Sequence, residues 1–284
     1  MTSEPQSKFF NSNGVRIHYL EAGEGVPVLM MHGFSGTAER QFGTPGVIRA
    51  LAANYRVLAI DGRGHGQSDK PYDPAVYGPE MGQDLLRLQD HIGVTRSHMI
   101  GYSLGAMVLA NLVCHRPERF LSCVLGGATG RFNWSEAKQR QLELEAAELA
   151  DGSQRSQILR LWPEGRDLPD EDYIAERSRL SLAGQDVRAL AASRLGGGRL
   201  VVQPEQMKSV QVPVLGIVGT DDPYTDDFHE LEQIMPKLEV KRIEGADHSN
   251  TTARREFSTE LLRFFETVNR DMSIAQGLEI SSAD

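Results

Sequence analysis

Cysteine is scarce in this 284-residue sequence, which contains only Cys114 and Cys123. Two cysteines are too few for the disulfide frameworks that stabilise small secreted domains. Both lie in apolar stretches of the chain, so we expect buried free thiols. The length is sufficient for one large α/β domain, or for a domain that carries an insertion.

Long apolar runs and an excess of basic residues are also absent. No window reaches the roughly 18 apolar residues that a membrane-spanning helix requires. The first residues show no basic region followed by an apolar one, so we expect no secretory signal. The formal net charge of −9 disfavours nucleic acid and anionic membranes as partners. We therefore expect a soluble, cytoplasmic protein without membrane insertion, and the oligomeric state stays open.

Spacings typical of metal sites are missing as well. No H-x-x-x-H pattern and no paired cysteines occur, so metal binding by His32, His65 and Asp61 is disfavoured. We expect His32 to hold the loop that follows it through a side-chain hydrogen bond. His65 and Arg63 are expected to brace their own glycine-rich loop.

Strand and helix patterns alternate along most of the chain. "VPVLMMHG" and "VPVLGIVG" are continuous apolar runs that end in glycine, as buried central strands do. "PEMGQDLLRLQDHIG" and "REFSTELLRFFETV" have the spacing of amphipathic helices. This alternation predicts an α/β fold with a mostly parallel sheet that is covered by helices on both faces.

Residues 131–206 depart from this alternation and predict an inserted helical cap. The block is rich in Glu, Arg, Gln, Leu and Ala, and it contains no convincing strand. Its segment "ELEAAELA" is interpreted as a solvated helix face. The three glycines at 196–198 should end a helix, and they suggest a hinge for a movable lid. Trp134, Trp162 and Tyr173 either line a pocket or pack the cap.

Ligands of open α/β sheets bind outside the carboxyl ends of the strands, so the residues that follow each strand are the candidates for a site. "GYSLG" follows one predicted strand and precedes a helix. In such a G-x-S-x-G turn, the glycines relieve crowding and Ser103 is held at the apex. The helix that follows directs backbone N–H groups to where an oxyanion would form.

A serine hydroxyl needs a base and an orienting carboxylate before it can act as a nucleophile at neutral pH. Asp221, Asp222 and His248 each follow a later predicted strand, in the chain order Ser, acid, His. Ser103 as a mere turn residue and His248 as a surface histidine are the simpler alternatives. The matched order of the three residue types favours a catalytic triad.

With these motifs the chain resembles the α/β-hydrolase superfamily over nearly its whole length. The resemblance implies a core from about residue 9 to 130 and from 207 to 270. Residues 1–8 and 271–284 are polar or weakly patterned, so we expect them to be flexible tails. "HGFSG" resembles an oxyanion loop, which implies the backbone N–H groups of Phe34 and Leu104 as the donors. "DGRGHGQSD" resembles a marker loop with a structural role. No cofactor is implied.

The resemblance also bears on which aspartate is the acid. Family members commonly place it three residues after the strand-terminal glycine, which from Gly219 is Asp222. Pro223 fits this position because it keeps the turn out of a helix. The alternative is that Asp221 orients His248 while Asp222 caps the next helix.

A triad of this kind implies acyl transfer to water, with an ester or lactone of a small, fairly apolar molecule as the first choice. Epoxide hydrolases and haloalkane dehalogenases of the superfamily carry aspartate where this chain has Ser103, so both are excluded. Hydrolases of C–C bonds often carry Trp after the histidine, whereas Ser249 and Asn250 follow here. C–C bond hydrolysis stays as an alternative, together with thioester, amide and peroxyacid chemistry. A further alternative is a ligand receptor of this fold with little turnover.

Overall fold

The computed structural model describes residues 4–132, 134–235 and 237–275. Eight strands of this part form one sheet in the order β1-β2-β4-β3-β5-β6-β7-β8. They are β1 (Gln6–Ser12), β2 (Val15–Ala22), β3 (Val26–Met31), β4 (Tyr55–Ile60), β5 (Ser97–Tyr102), β6 (Phe120–Gly126), β7 (Val214–Gly219) and β8 (Glu239–Ile243). β2 is antiparallel to both of its neighbours, and the remaining pairs are parallel. The predicted α/β fold is confirmed.

Ten α-helices occur in the described residues. They are α1 (Val47–Leu51), α2 (Pro79–His91), α3 (Leu104–His115), α4 (Glu136–Ala150), α5 (Arg155–Arg160), α6 (Glu171–Leu182), α7 (Val187–Gly196), α8 (Pro204–Ser209), α9 (Thr225–Ile234) and α10 (Arg255–Ala275). Within the same residues, none of these helices combines the length and the apolar character needed to cross a bilayer.

Helices cover both faces of the sheet, as the alternate residues of β3 show. Leu29 and Met31 belong to the core that contains buried residues of α2 and α3. Val28 and Met30 belong to the other core, with buried residues of α1 and α10. Successive strand residues point to opposite faces, so a strand buried on both faces is apolar throughout. This accounts for the continuous apolar run in the sequence.

Helices α4 to α7 lie in the long connection between β6 and β7, where the sequence predicts the cap. In the described part of this connection, the only β-pairing is a single bridge between Arg131 and Val201. The predicted cap boundary at residue 206 falls inside α8. That helix packs against α3 and α9, so by its contacts it belongs with the core.

The two predicted tails need correction. Residues 6–8 are part of β1, which pairs with β2 from Gln6 to Ser12. Residues 271–275 are the last residues of α10, which is a continuous helix to Ala275. Both segments are held by regular backbone hydrogen bonds, so neither is a loose end. Residues 1–3 and 276–284 lie outside the described part of the chain.

The triple glycine has a packing role. The helix α7 ends at Gly196, and a single 3₁₀ turn follows, so the backbone stays helical in form. A Cβ at Gly196 would lie 2.5 Å from Tyr77 Cβ, and one at Gly198 would lie 2.8 Å from the Trp134 ring. Close packing therefore accounts for two of these glycines without a hinge. The hinge itself stays a prediction.

Candidate active site

Ser103 occupies the sharp turn between β5 and α3. Its φ of 52° makes it one of three non-glycine residues with positive φ in the described chain. Such a conformation costs on the order of 1–3 kcal/mol and is typical of functional sites. The Ser103 N–H donates to Gly126 O at 2.7 Å, which ties the strained turn to the neighbouring strand β6.

The two glycines of "GYSLG" are required by close backbone contacts. A Cβ at Gly101 would lie 2.3 Å from Gly105 O, because α3 turns back directly against the end of β5. A Cβ at Gly105 would lie 2.2 Å from Met31 O, at the end of β3. Real Cβ atoms do not approach other atoms so closely, so larger residues would open the turn.

His248 connects Ser103 to a carboxylate. Its Nε2 lies 2.9 Å from Ser103 Oγ, and its Nδ1 lies 2.8 Å from Asp222 Oδ2. A carboxylate only accepts, so Nδ1–H donates to Asp222 and Nε2 accepts from the serine hydroxyl. The three predicted side chains thus form one continuous hydrogen-bonded path.

The two adjacent aspartates have different partners. Asp222 is 3% exposed, and besides His248 its Oδ1 accepts from the Tyr224 N–H at 3.0 Å. Asp221 is more exposed and forms an ion pair with Arg166 at 3.0 Å. This geometry agrees with the predicted preference for Asp222. It does not agree with the alternative in which Asp221 orients His248.

Close loop packing brings Asp222 and His248 together. The loops after β7 and β8 are in direct backbone contact, and a Cβ at Gly219 would lie 2.0 Å from Ala246 O. The Asp221 N–H donates to the same carbonyl at 2.9 Å. On the opposite side, the Tyr102 hydroxyl donates to His248 O at 2.7 Å. The histidine is therefore held by its backbone as well as its side chain.

The loop after β3 lies beside the serine. A Cβ at Gly33 would lie 3.2 Å from Ser103 Cβ, and the residues that follow these two, Phe34 and Leu104, line the same cavity as Ser103. Among the described residues, no hydrogen bond is found for the N–H of Phe34 or of Leu104. Two such N–H groups beside a nucleophile can stabilise a developing oxyanion.

His32 holds this loop as expected. Its Nδ1–H donates to Gly33 O at 2.7 Å, and its Nε2 accepts from the Gly62 N–H at 3.0 Å. Burial lowers the pKa of His32, which keeps the ring neutral so that one nitrogen donates and the other accepts. The side chain therefore joins the loops after β3 and β4.

The "DGRGHGQSD" loop is braced by its own polar residues. Asp61 accepts hydrogen bonds from His18, from Ala38 N–H and from Gln67 N–H, which lower its pKa to about 2. Arg63 donates to both carboxylate oxygens of the buried Asp84, at 2.7 and 2.8 Å. These bonds agree with the predicted structural role.

A cavity of about 790 Å³ lies above Ser103 and His248 and extends under the helical insertion. Phe34, Leu104 and Met107 line its floor. Trp162 and Tyr173 line it from the insertion, as one of the two sequence interpretations proposed. Trp134 is not part of its lining and packs against Gly198 instead.

Sequence reasoning missed a group of polar residues in the wall of this cavity. We call Arg131, Arg160 and Arg194 the arginine cluster, and Glu145 is its buried carboxylate neighbour. The interpretation of "ELEAAELA" as a solvated face is wrong for Glu145, which is 3% exposed. The order of charged residues along one helix does not say which of them are buried by neighbouring helices.

The family profile of the alpha/beta hydrolase fold matches residues 26–251. The chain belongs to this family. The matched part of this alpha/beta hydrolase begins at β3 and ends beyond His248, so it includes every strand-end loop described above. The resemblance predicted from the sequence is confirmed.

Individual relatives of this alpha/beta hydrolase are distant. 3-Oxoadipate enol-lactonase 1 of Acinetobacter baylyi is 28% identical over 214 residues, which are 74% of this chain and 78% of that protein. A thermophilic esterase from Thermogutta terrifontis superposes with a TM-score of 0.76 at 19% identity, covering 94% of this chain and 99% of the other. The 2-hydroxy-6-oxo-6-phenylhexa-2,4-dienoate hydrolase of a Rhodococcus species superposes with a TM-score of 0.72 at 23% identity. The match covers 94% of this chain and 100% of the other. At these identities the two solved structures establish the shared fold.

Proposed function

We propose that the protein is a serine hydrolase that cleaves a carboxylic ester or lactone of a small molecule through an acyl-enzyme intermediate. The observation that carries this proposal is the unbroken path from Ser103 Oγ through His248 to Asp222, with distances of 2.9 and 2.8 Å. The path opens into the cavity, where a small substrate can reach the serine. The enol-lactonase relative supports the choice of substrate class.

In the first step, Ser103 Oγ attacks the carbonyl carbon while His248 Nε2 takes the hydroxyl proton. Asp222 keeps the Nδ1–H tautomer in place, and its charge stabilises the imidazolium that forms. The positive φ of Ser103 holds Oγ at the apex of the turn before substrate arrives. The orientation is therefore built into the folded chain rather than acquired on binding.

Negative charge develops on the carbonyl oxygen during this attack. In the proposed mechanism the N–H groups of Phe34 and Leu104 stabilise this charge, and removing one such donor typically costs about 10²–10³ in turnover. His248 then protonates the leaving alcohol, and the ester C–O bond breaks. Water, deprotonated by His248, attacks the acyl-enzyme and releases the acid, which regenerates Ser103.

Turnover of a short-chain 4-nitrophenyl ester by the wild type and by Ser103→Ala tests the proposal. We expect the variant to lose at least about 10³ in kcat, because the nucleophile is removed. Ser209→Ala, which removes an exposed hydroxyl that donates to Gln206 O, is the matched control and should keep wild-type rates.

A fluorophosphonate probe provides a second readout, and it should label the wild type on Ser103. Equal ester turnover in wild type and Ser103→Ala, with no labelling, would contradict a hydrolase. It would favour a ligand receptor that keeps the three side chains.

A further inference from the structure

Two of the three guanidinium groups of the arginine cluster, those of Arg160 and Arg194, contact the carboxylate of Glu145. Glu145 Oε1 accepts from Arg160 Nε at 2.8 Å and from Gln141 at 3.1 Å. Its Oε2 lies 3.2 Å from Arg194 Nε and also accepts from Arg160 at 3.3 Å. Both oxygens of Glu145 are thus occupied, and one negative charge cannot neutralise three positive charges.

Arg131 is the cation left without a counter-ion. In the described part of the chain it forms no ion pair, and its buried Nε has no hydrogen-bond partner. Its guanidinium lies 5.5 Å from the centre of the Trp134 ring and lines the cavity. Arg131 is partly exposed to the cavity while its Nε is fully buried, and an anionic ligand in the cavity would offset the cost of leaving this cation without a partner.

Carboxylates elsewhere on the cavity wall do not offset this excess. Asp247 is paired with Arg166 at 3.4 Å, and Glu230 is exposed. Asp227 interacts electrostatically with Lys138, which also lines the cavity, so its charge is offset there and not at the arginine cluster. Burial beside its two cationic neighbours lowers the pKa of Arg194 to about 9, so it is still protonated at pH 7.

The cluster lies close to the reacting atoms. The Arg194 guanidinium lies 3.5 Å from the centre of the Phe34 ring, and the backbone N–H of Phe34 is one of the two proposed oxyanion donors. Arg160 Nη1 donates to the Tyr224 hydroxyl at 2.5 Å, and the Tyr224 ring centre is 5.5 Å from that of His248. The Phe34 ring therefore links Arg194 to the proposed oxyanion donor, and the Tyr224 ring links Arg160 to His248.

We propose that the substrate carries a carboxylate group that binds to the arginine cluster, a short spacer away from the ester or lactone carbonyl. This inference rests on the proposed hydrolytic function. Guanidinium groups match the planar carboxylate with paired N–H donors, which fixes orientation as well as supplying charge. A neutral substrate of equal size would leave Arg131 unpaired.

The kinetic test compares two esters with acyl chains of equal length, 4-nitrophenyl hydrogen glutarate and 4-nitrophenyl pentanoate. We expect the wild type to prefer the acidic ester in kcat/KM by about tenfold to hundredfold, the range for hydrogen bonds to charged groups. Arg131→Gln should lose most of that preference. Arg179→Gln removes an exposed cation that is paired with Glu176, and it should keep the wild-type preference.

A binding test separates this inference from the proposed function. Glutarate should raise the melting temperature of the wild type and of Ser103→Ala but not of Arg131→Gln. Such stabilisation supports the carboxylate site even when no ester is turned over. Wild-type hydrolysis of both esters at equal kcat/KM, or stabilisation by inorganic phosphate as strong as by glutarate, would overturn the carboxylate assignment while leaving the hydrolase intact.

Discussion

Replacing Asp222 by Asn tests the proposed site most sharply, because the neighbouring Asp221 supplies a matched control. Asp222 Oδ1 accepts from the Tyr224 N–H at 3.0 Å, and Oδ2 accepts from His248 Nδ1 at 2.8 Å. The asparagine oxygen is expected to keep the bond to Tyr224. Its NH₂ group then faces His248 and donates to Nδ1.

This reversal changes the tautomer of the histidine. Nδ1 becomes an acceptor, the proton moves to Nε2, and Nε2 can no longer accept from Ser103. In triads of this kind the same change lowers kcat by roughly 10⁴, or about 5 kcal/mol of transition-state stabilisation. Asp221 is 37% exposed in its side chain and pairs with Arg166 at the surface, so Asp221→Asn should stay within about threefold of wild type.

The assay is the initial rate on a short-chain 4-nitrophenyl ester, with melting temperatures to show that each variant is folded. Asp222→Asn should also label more slowly with a fluorophosphonate, since the serine is no longer activated. Retention of more than a tenth of wild-type kcat in folded Asp222→Asn would refute the assigned role. So would an equal loss in Asp221→Asn.

Two further predictions concern stability. Gly105→Ala should destabilise the fold by several kcal/mol in urea denaturation, because its Cβ would lie 2.2 Å from a carbonyl oxygen. Gly152→Ala, with nothing within 4 Å of the added Cβ, should cost about 1 kcal/mol, and equal losses would contradict the packing argument. Burial lowers the pKa of His65 to about 3 and of His98 to about 4. The unfolded chain therefore binds these protons near pH 6.5 and the folded chain does not, so stability is lost as the pH falls from about 6.5 towards 4. Each contributes up to about 1.4 kcal/mol per pH unit. Urea denaturation at several pH values should show a shallower dependence in His98→Gln, and an unchanged one would contradict this account.

Much of the candidate site could be predicted because its determinants are local. "GYSLG" and "HGFSG" each follow an apolar run, and parallel strands bring their carboxyl ends to one edge of a sheet. Ser103, Asp222 and His248 could therefore be placed together before any distance was known. The choice between Asp221 and Asp222 depended on a family pattern and not on the residues alone.

The insertion was less predictable, since its helices are charged on several faces. Glu145 lies in a run that is typical of an exposed helix, yet Arg160 and Arg194 bury it. These three residues belong to α4, α5 and α7, so their contact depends on how the helices pack and not on spacing along one of them.

The sequence by itself determined the α/β class, the strand-end loops and the residue types of the proposed triad, because strand periodicity and glycine turns are encoded over a few residues. Only the tertiary structure decided that Asp222 and not Asp221 meets His248, and that Arg131 faces the cavity without a counter-ion. The physical reason is that burial and ion pairing depend on residues far apart in the chain, which no local pattern specifies.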